Sequence, residues 1–231
     1  MNQIQENLNR VLEKIERAAA KSDRRPETIK LVAVSKTISP EKINEGIAAG
    51  IKIIGENKVQ EAKAKKDLVQ AVTWHMVGHL QTNKVKQAIQ VFDMIQSVDS
   101  YHLAQEIDKR CQREEKNIPV LVEVNTSGET SKFGCDPEKA PELVSMISEL
   151  KHLEIKGLMT IGLFTDQLNL VRPCFVTLRE LAEKIRDMRS DRISMSELSM
   201  GMSSDYEVAI EEGATMVRIG TAIFGPRQYH N

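Results

Sequence analysis

The sequence predicts one α/β domain over residues 1–231, folded as a (β/α)8 TIM barrel with an extra N-terminal helix. Short apolar segments with strand character alternate with longer segments of helical periodicity, which is typical of a parallel sheet with crossover helices. The strand segments number eight, the count that closes such a barrel. The chain has 231 residues, 41% of them hydrophobic, and a small barrel needs about 200–250. No linker or repeat divides the chain.

Residues 1–22 predict the additional helix, which we expect to pack on the barrel. Ile4, Leu8, Val11 and Ile15 stand at offsets of 4, 7 and 11, which places them on one helical face. Polar and charged residues fill the opposite face, as in an amphipathic surface helix.

The remaining elements follow in strict alternation. Strands are predicted over residues 30–34, 51–54, 71–77, 94–97, 120–124, 154–159, 197–199 and 215–219. Helices between them are predicted over residues 41–49, 57–69, 83–90, 101–115, 138–150, 169–188 and 204–211. Pro40 and Pro137 stand where first helical turns are expected, and Gly50 and Gly213 stand where helices should end.

An open, doubly wound sheet is the competing architecture. Its dinucleotide-binding fingerprint, G-x-G-x-x-G, is missing from the sequence, and the first strand is followed by VSKTISP instead. The barrel is therefore favoured.

Charge and composition argue against several classes of partner. The 32 Lys and Arg residues balance 33 Asp and Glu residues, so the net charge of −1 provides no global attraction for nucleic acid or an anionic membrane. The lysines at positions 58, 63, 65 and 66 are interleaved with Glu56, Glu61 and Asp67, a pattern typical of a solvated helix face. Three widely spaced cysteines, a polar N-terminus and no apolar run of about 20 residues predict a cytoplasmic protein without a membrane span.

No metal site is expected. His75 and His79 are four residues apart, but they fall on a strand followed by a glycine. At ~3.3 Å per residue they lie about 13 Å apart, too far to share one zinc ion.

Lys36 is a candidate for covalent chemistry at the carboxyl ends of the strands, where barrels place their sites. It follows Leu31–Val34, an apolar run typical of a buried parallel strand, so its amine should emerge at the rim of the core. Partial desolvation there favours the free amine, which can attack a carbonyl and form a Schiff base. A surface lysine in a loop is the alternative that the position alone leaves open.

Two C-terminal segments, LSMGMSSD and VRIGTAIFG, predict an anion site. Gly201 and Gly220 permit close backbone approach, and Ser203, Ser204 and Thr221 offer hydroxyls. Each segment leads into a helix after strand seven or eight, where barrels commonly hold phosphate. Ordinary turns use the same residue types. Together with a lysine that forms a Schiff base, such a site suits pyridoxal 5'-phosphate (PLP).

The chain resembles the YggS/PROSC family of PLP-binding proteins, relatives of the alanine racemase N-terminal barrel. The resemblance spans nearly the whole chain and rests on VAVSKT, GENKVQEA, WHMVGHLQTNKVK, SVDS, VLVEVNTSGETSKFG, KGLMTI, LSMGMSSDYEVAI and VRIGTAIFGPR. It implies an alanine racemase N-terminal-domain-like fold, PLP as the cofactor and a role in PLP (vitamin B6) homeostasis. After Ile161 the chain departs from the Pro-containing loop of many relatives, so that loop has no assigned role.

The resemblance also implies the residues that bind PLP. They are Lys36, Asn57, His79, Ser199, Met202, Ser203, Arg218, Gly220 and Thr221. Lys36 would carry PLP as a Schiff base, while Ser203, Gly220 and Thr221 would hold the phosphate, with Ser199 assisting. Arg218 falls where the racemases place an arginine against the pyridine nitrogen. Because an arginine keeps its proton, the nitrogen would stay unprotonated and PLP would be a weaker electron sink.

The resemblance favours a PLP carrier without a catalytic residue of its own. Racemases of this type need a second acid/base on the opposite face of the PLP ring, a tyrosine supplied by an added β-domain. Tyr101 and Tyr206 open predicted helices here, and Tyr229 is the third residue from the end. An amino-acid racemase is the alternative function, and a barrel scaffold for a protein partner is a third. PLP-dependent apoenzymes are the expected recipients, and a lone barrel suggests a monomer.

Overall fold

Eight parallel strands form a closed barrel within residues 2–188 and 191–226, the part of the chain that the computed structural model describes. The strands are β1 (Lys30–Val34), β2 (Ile53–Glu56), β3 (Thr73–Met76), β4 (Met94–Val98), β5 (Ile118–Glu123), β6 (Leu153–Met159), β7 (Ile193–Ser199) and β8 (Met216–Ile219). They follow chain order around the barrel, and β8 pairs with β1 to close it. The predicted fold is confirmed.

Helices surround the strands. They are α1 (Gln3–Lys21), α2 (Pro40–Ala48), α3 (Val59–Lys66), α4 (Val85–Val91), α5 (Tyr101–Arg113), α6 (Ala140–Ser148), α7 (Leu168–Arg186), α8 (Tyr206–Glu211) and α9 (Thr221–Phe224). Pro40 occupies the first turn of α2, whereas Pro137 begins a short 3-10 helix ahead of α6. Within the described part of the chain, no helix is long and apolar enough to cross a membrane.

Some element boundaries differ from those predicted. β2 lies two residues later than expected, because Ile51 is buried without joining the strand ladder. β7 begins four residues earlier than expected, since Ser194 and Ser196 are exposed and interrupt the apolar run that marks a strand. The lysine-rich face of α3 is solvated at Lys63, but Lys65 is only 8% exposed, which corrects the prediction of a uniformly solvated face.

The core has two layers because successive strand residues point to opposite faces of the sheet. A small apolar cluster fills the barrel interior and consists of Val32, Val77, Met94, Leu121, Met159 and Met216, with partly buried residues packed against it. The larger cluster lies between strands and helices and includes Trp74 and Phe175. Above the interior cluster, polar side chains replace the apolar ones toward the carboxyl ends of the strands. These side chains form the floor of the site described below.

The N-terminal helix α1 packs against α8 and α9, the helices that follow the last two strands. Its buried face consists of Ile4, Leu8, Val11, Ile15, Ala18 and Ala19. Asn7 Nδ2 donates to the carbonyl of Ile223 at 2.9 Å, and Lys14 Nζ lies 3.2 Å from Glu207 Oε1. This helix therefore supports the side of the barrel formed by the C-terminal segments.

Candidate functional site

A cavity of about 410 Å³ opens at the carboxyl ends of the strands, a volume within the usual range for small-molecule sites. Its lining residues are Val34, Lys36, Ile38, Asn57, Val77, Ile161, Phe164, Asp166, Met202, Ser203, Ser204, Arg218, Gly220, Thr221, Phe224 and Gly225. The cavity thus combines one amine, one guanidinium group and several hydroxyls with an apolar surround.

The structure brings seven of the nine predicted PLP-binding residues to this cavity. They are Lys36, Asn57, Met202, Ser203, Arg218, Gly220 and Thr221. Ser199 is fully buried beneath the cavity and contacts Arg218, whereas His79 belongs to a separate depression.

Lys36 stands two residues beyond the end of β1 and is half-buried. The chain turns sharply here, with Thr37 at a positive φ of 65° and the Ile38 amide donating to the Ser35 carbonyl at 3.0 Å. A positive φ is uncommon for a β-branched residue, so contacts around the turn must hold this conformation.

The hydroxyl side of the cavity is built by residues 200–205 and by the start of α9. Gly201 adopts a φ of +90°, and a side chain there would place its Cβ 2.5 Å from the Cβ of Ala209. Asp205 Oδ1 accepts from the Met202 amide at 2.6 Å, which fixes the loop. Thr221 Oγ1 then lies 3.3 Å from Ser203 Oγ, so two hydroxyls from different strand ends meet at one point.

Arg218 lies at the floor of the cavity, held by neutral hydrogen-bond acceptors. Its Nη1 donates to Ser199 Oγ at 2.6 Å, and its Nη2 donates to the Thr160 carbonyl at 2.7 Å. Burial lowers the pKa of Arg218 to about 10, an effect partly offset by Glu123 and Asp205. The guanidinium therefore stays protonated at neutral pH.

A chain of hydrogen bonds continues from Arg218 across the barrel interior. Ser199 Oγ donates to Gln96 Oε1 at 2.6 Å, and Gln96 Nε2 lies 2.8 Å from His75 Nδ1. Burial lowers the pKa of His75 to about 4, so this imidazole is neutral at physiological pH and Nδ1 can accept from the amide. Every hydrogen bond from Arg218 to His75 therefore has a defined donor and acceptor.

Glu123 is a second ionisable group in this interior. It is 3% exposed, and its Oε2 accepts no hydrogen bond from any described group. Burial raises the pKa of Glu123 to about 7, with a further increase from Asp99 and a decrease from Arg218. The carboxyl group consequently changes its charge near neutral pH.

His79 is predicted to line the pocket, but its neighbours hold it elsewhere. Its ring stacks on Phe133, with centroids 3.8 Å apart and an interplanar angle of 11°. Its Nδ1 lies 3.3 Å from Asp99 Oδ2, and both residues border a different depression. Among the residues with described positions, no group of three or more His, Cys, Asp or Glu side chains is arranged to bind a metal ion.

The loop after β6 contributes to the cavity, although its sequence predicts no role for it. Ile161, Phe164 and Asp166 line the cavity, and Phe164 is 93% exposed. Phe164 could hardly be predicted as a cavity residue from the sequence. Its position relative to the other strand ends depends on the path of the loop, which the sequence does not specify.

Comparisons with known proteins identify the family. Residues 3–228 match the family model described as the N-terminal domain of alanine racemase. The chain is 45% identical over 228 residues to the pyridoxal phosphate homeostasis protein of Aquifex aeolicus, with 97% of this chain and 98% of that protein covered. The chain belongs to the pyridoxal phosphate homeostasis protein family. The resemblance predicted from the sequence is confirmed.

Solved structures agree with this family assignment. The structure of PipY from Synechococcus elongatus PCC7942 with PLP bound has 35% sequence identity and a TM-score of 0.81, covering 92% of this chain and 100% of that one. An alanine racemase from Clostridium difficile 630 shares the barrel, with a TM-score of 0.77 at 16% identity. That match covers 99% of this chain but 57% of the racemase chain.

The buried carboxyl group of Glu123 predicts a pH-dependent loss of stability. Its pKa rises from 4.5 in the unfolded chain to about 7 in the folded protein. The free energy of unfolding therefore decreases as the pH rises through this interval, because the unfolded chain loses this proton first. We expect Glu123→Gln to gain stability relative to wild type between pH 4.5 and 7, reaching about 3 kcal/mol above pH 7. Urea unfolding of both proteins at several pH values measures this difference. A difference that stays constant with pH would contradict the role of Glu123.

Proposed function

We propose that this protein binds PLP as a Schiff base on Lys36 and serves PLP homeostasis without substantial catalytic turnover. The observation that carries the proposal is the meeting of Lys36 with the hydroxyls of Ser203 and Thr221 in one cavity. The names of the relatives and the PLP-bound PipY structure support the same cofactor.

The donor set suits the functional groups of PLP. PLP supplies an aldehyde that condenses with an amine, a phosphate and a pyridine ring that stabilises carbanions in enzymes. Lys36 provides the amine, and the hydroxyls of Ser203 and Thr221, next to Gly220, would bind the phosphate. Asn57 and Met202 would border the ring. Ser199 would act through Arg218, since it lies beneath the cavity, and His79 would not touch the cofactor in this arrangement.

Arg218 would set how strongly the pyridine ring of PLP withdraws electrons. Its guanidinium is anchored from below by Ser199 and Thr160 and would face the pyridine nitrogen. A group that keeps its own proton can donate a hydrogen bond to this nitrogen but cannot protonate it. The ring would then withdraw electrons weakly, as in the racemases that share this arginine, so the choice between carrier and racemase rests on the groups at the opposite face of the ring.

The second candidate function is an amino-acid racemase, which the shared fold brings into consideration. Racemisation needs an acid on the ring face opposite Lys36. In the described part of the chain no tyrosine lines the cavity, and Tyr206 is buried elsewhere at 3% exposure. Tyr229 lies outside the described residues. The cavity therefore supports the carrier more strongly than the racemase.

The proposal covers residues 1–231 as one PLP-binding domain that acts as a cytoplasmic monomer and passes PLP to PLP-dependent apoenzymes. The close packing of α1 on α8 and α9 supports the inclusion of the N-terminal helix in this domain.

Lys36→Ala is expected to abolish the visible absorption band of the PLP Schiff base, because the variant has no amine at this position. The fold should persist, since Lys36 lies in a half-buried turn outside the strands. Lys42→Ala, at an exposed position of α2, is the matched control and should keep the band. Borohydride reduction followed by peptide mapping locates the modified lysine. An unchanged band in Lys36→Ala would exclude this lysine as the attachment point.

Removing the hydroxyl of Ser203 or Thr221 should weaken PLP binding, because a hydrogen bond to the PLP phosphate is lost while the contacts to the ring remain. Each of Ser203→Ala and Thr221→Val is expected to lower PLP affinity roughly 10- to 100-fold, the range for a hydrogen bond to a charged group. Pyridoxal, which lacks the phosphate, should bind these variants and the wild type equally. Equilibrium titration with both ligands makes the comparison. An equal loss for pyridoxal would show that these hydroxyls do not contact the phosphate.

Assays of turnover separate the carrier from the racemase. Incubation of the PLP-loaded protein with L-alanine in heavy water should yield neither D-alanine nor α-deuterated alanine at enzymatic rates, roughly 1 to 10³ per second. Turnover in that range would favour the racemase.

A further inference from the structure

An ion network between helix α3 and the last residue of β2 contacts the turn that carries Lys36. Lys65 Nζ lies 2.7 Å from Glu56 Oε1 and 2.7 Å from Glu61 Oε1. Glu56 is fully buried, and the Lys65 side chain is 10% exposed. We call these three residues the α3 clamp.

The α3 clamp binds the backbone on both sides of Lys36. Lys65 Nζ donates to the Ser35 carbonyl at 2.8 Å, and Glu56 Oε1 accepts from the Ser35 hydroxyl at 2.8 Å. On the other side, Glu61 Oε1 accepts from the Thr37 amide at 2.6 Å. The residues before and after Lys36 are thus fixed by charged partners.

This arrangement is costly, and stability alone does not account for it. Burial raises the pKa of Glu56, an effect that Lys65 opposes but does not cancel. Apolar residues of similar volume often stabilise a core as well as a buried ion pair does. The clamp also holds Thr37 at its φ of 65°, a conformation disfavoured for threonine. Strain maintained by charged contacts beside a candidate functional residue indicates a positioning role.

We propose that Glu61 and Lys65 are positioning residues that hold the Lys36 turn in the geometry needed to retain PLP. This inference rests on the proposed function, because it concerns the same lysine. Neither residue lines the cavity, so their effect on PLP acts through Ser35 and Thr37.

The variants Glu61→Met and Glu61→Gln test the contact to Thr37. Methionine has a similar length but cannot accept from the amide, whereas the side-chain oxygen of glutamine can. Glu61→Met is expected to release PLP about 10- to 100-fold faster than wild type, the effect of a small displacement of a reacting group. Glu61→Gln should release PLP at the wild-type rate. Glu207→Met removes an acid from the distant Lys14 pair and is the matched control, with release unchanged.

A second variant tests the contact to Ser35 without leaving a buried charge unpaired. Glu56→Gln combined with Lys65→Met removes the buried pair as a whole, so the chain should still fold. It should also release PLP faster and shift the pH midpoint of the Schiff base band, a property that a purely structural role would leave unchanged. Circular dichroism confirms the fold of each variant before PLP loading.

The outcomes separate this inference from the proposed function. A wild-type protein without a Schiff base band would overturn the proposed function and this inference with it. A wild-type band, with unchanged release rates and pH midpoints in Glu61→Met and in the double variant, would overturn the inference alone. Equal losses in Glu61→Met and Glu61→Gln would also overturn it, because the hydrogen bond to Thr37 would then not be the cause.

Discussion

The pairing of the first strand with the last determines where the functional groups meet. β1 and β8 run parallel in a register that sets Val32 beside Arg218 and Ala33 beside Ile219. Lys36 follows one strand, and Gly220 and Thr221 follow the other, so closure of the barrel brings opposite ends of the sequence to one rim. The direction shared by all strands then places the remaining cavity residues on the same side.

Below that rim, the interior stabilises a charge without neutralising it. Arg218 is held by a hydroxyl and a carbonyl, and the chain continues through an amide to an imidazole that burial keeps neutral. None of these acceptors is an anion, so the positive potential of the guanidinium remains directed at the cavity. Glu123 provides the nearby carboxyl group, and burial opposes its ionisation until about neutral pH. Arg218 therefore supplies a lasting positive charge at the floor of the cavity.

The sequence was sufficient for the fold because its determinants are local. Alternation of apolar runs and helical periodicity marks each βα unit. The positions directly after the strands then identify Lys36, Gly220 and Thr221 as candidate site residues. Strand limits were less predictable where exposed serines interrupt β7. The positions of His79 and Lys65 could not be read from the chain, since they depend on distant partners. Phe133 and Asp99 hold His79 away from the cavity, and Glu56 and Ser35 draw Lys65 into the core.

The packing of α1 has a consequence for the order in which the chain assembles. Much of its apolar face is covered by α8 and α9, which are among the last described elements of the chain. During synthesis α1 emerges from the ribosome well before α8 and α9, which follow β7 and β8. Until then the stripe formed by Ile4, Leu8, Val11 and Ile15 lacks those partners. Because α2 is the one α-helix among the described packing partners of α1 that is made early, the nascent chain carries a partly uncovered amphipathic helix through most of its translation, a stage at which such a surface is open to chaperones and to aggregation.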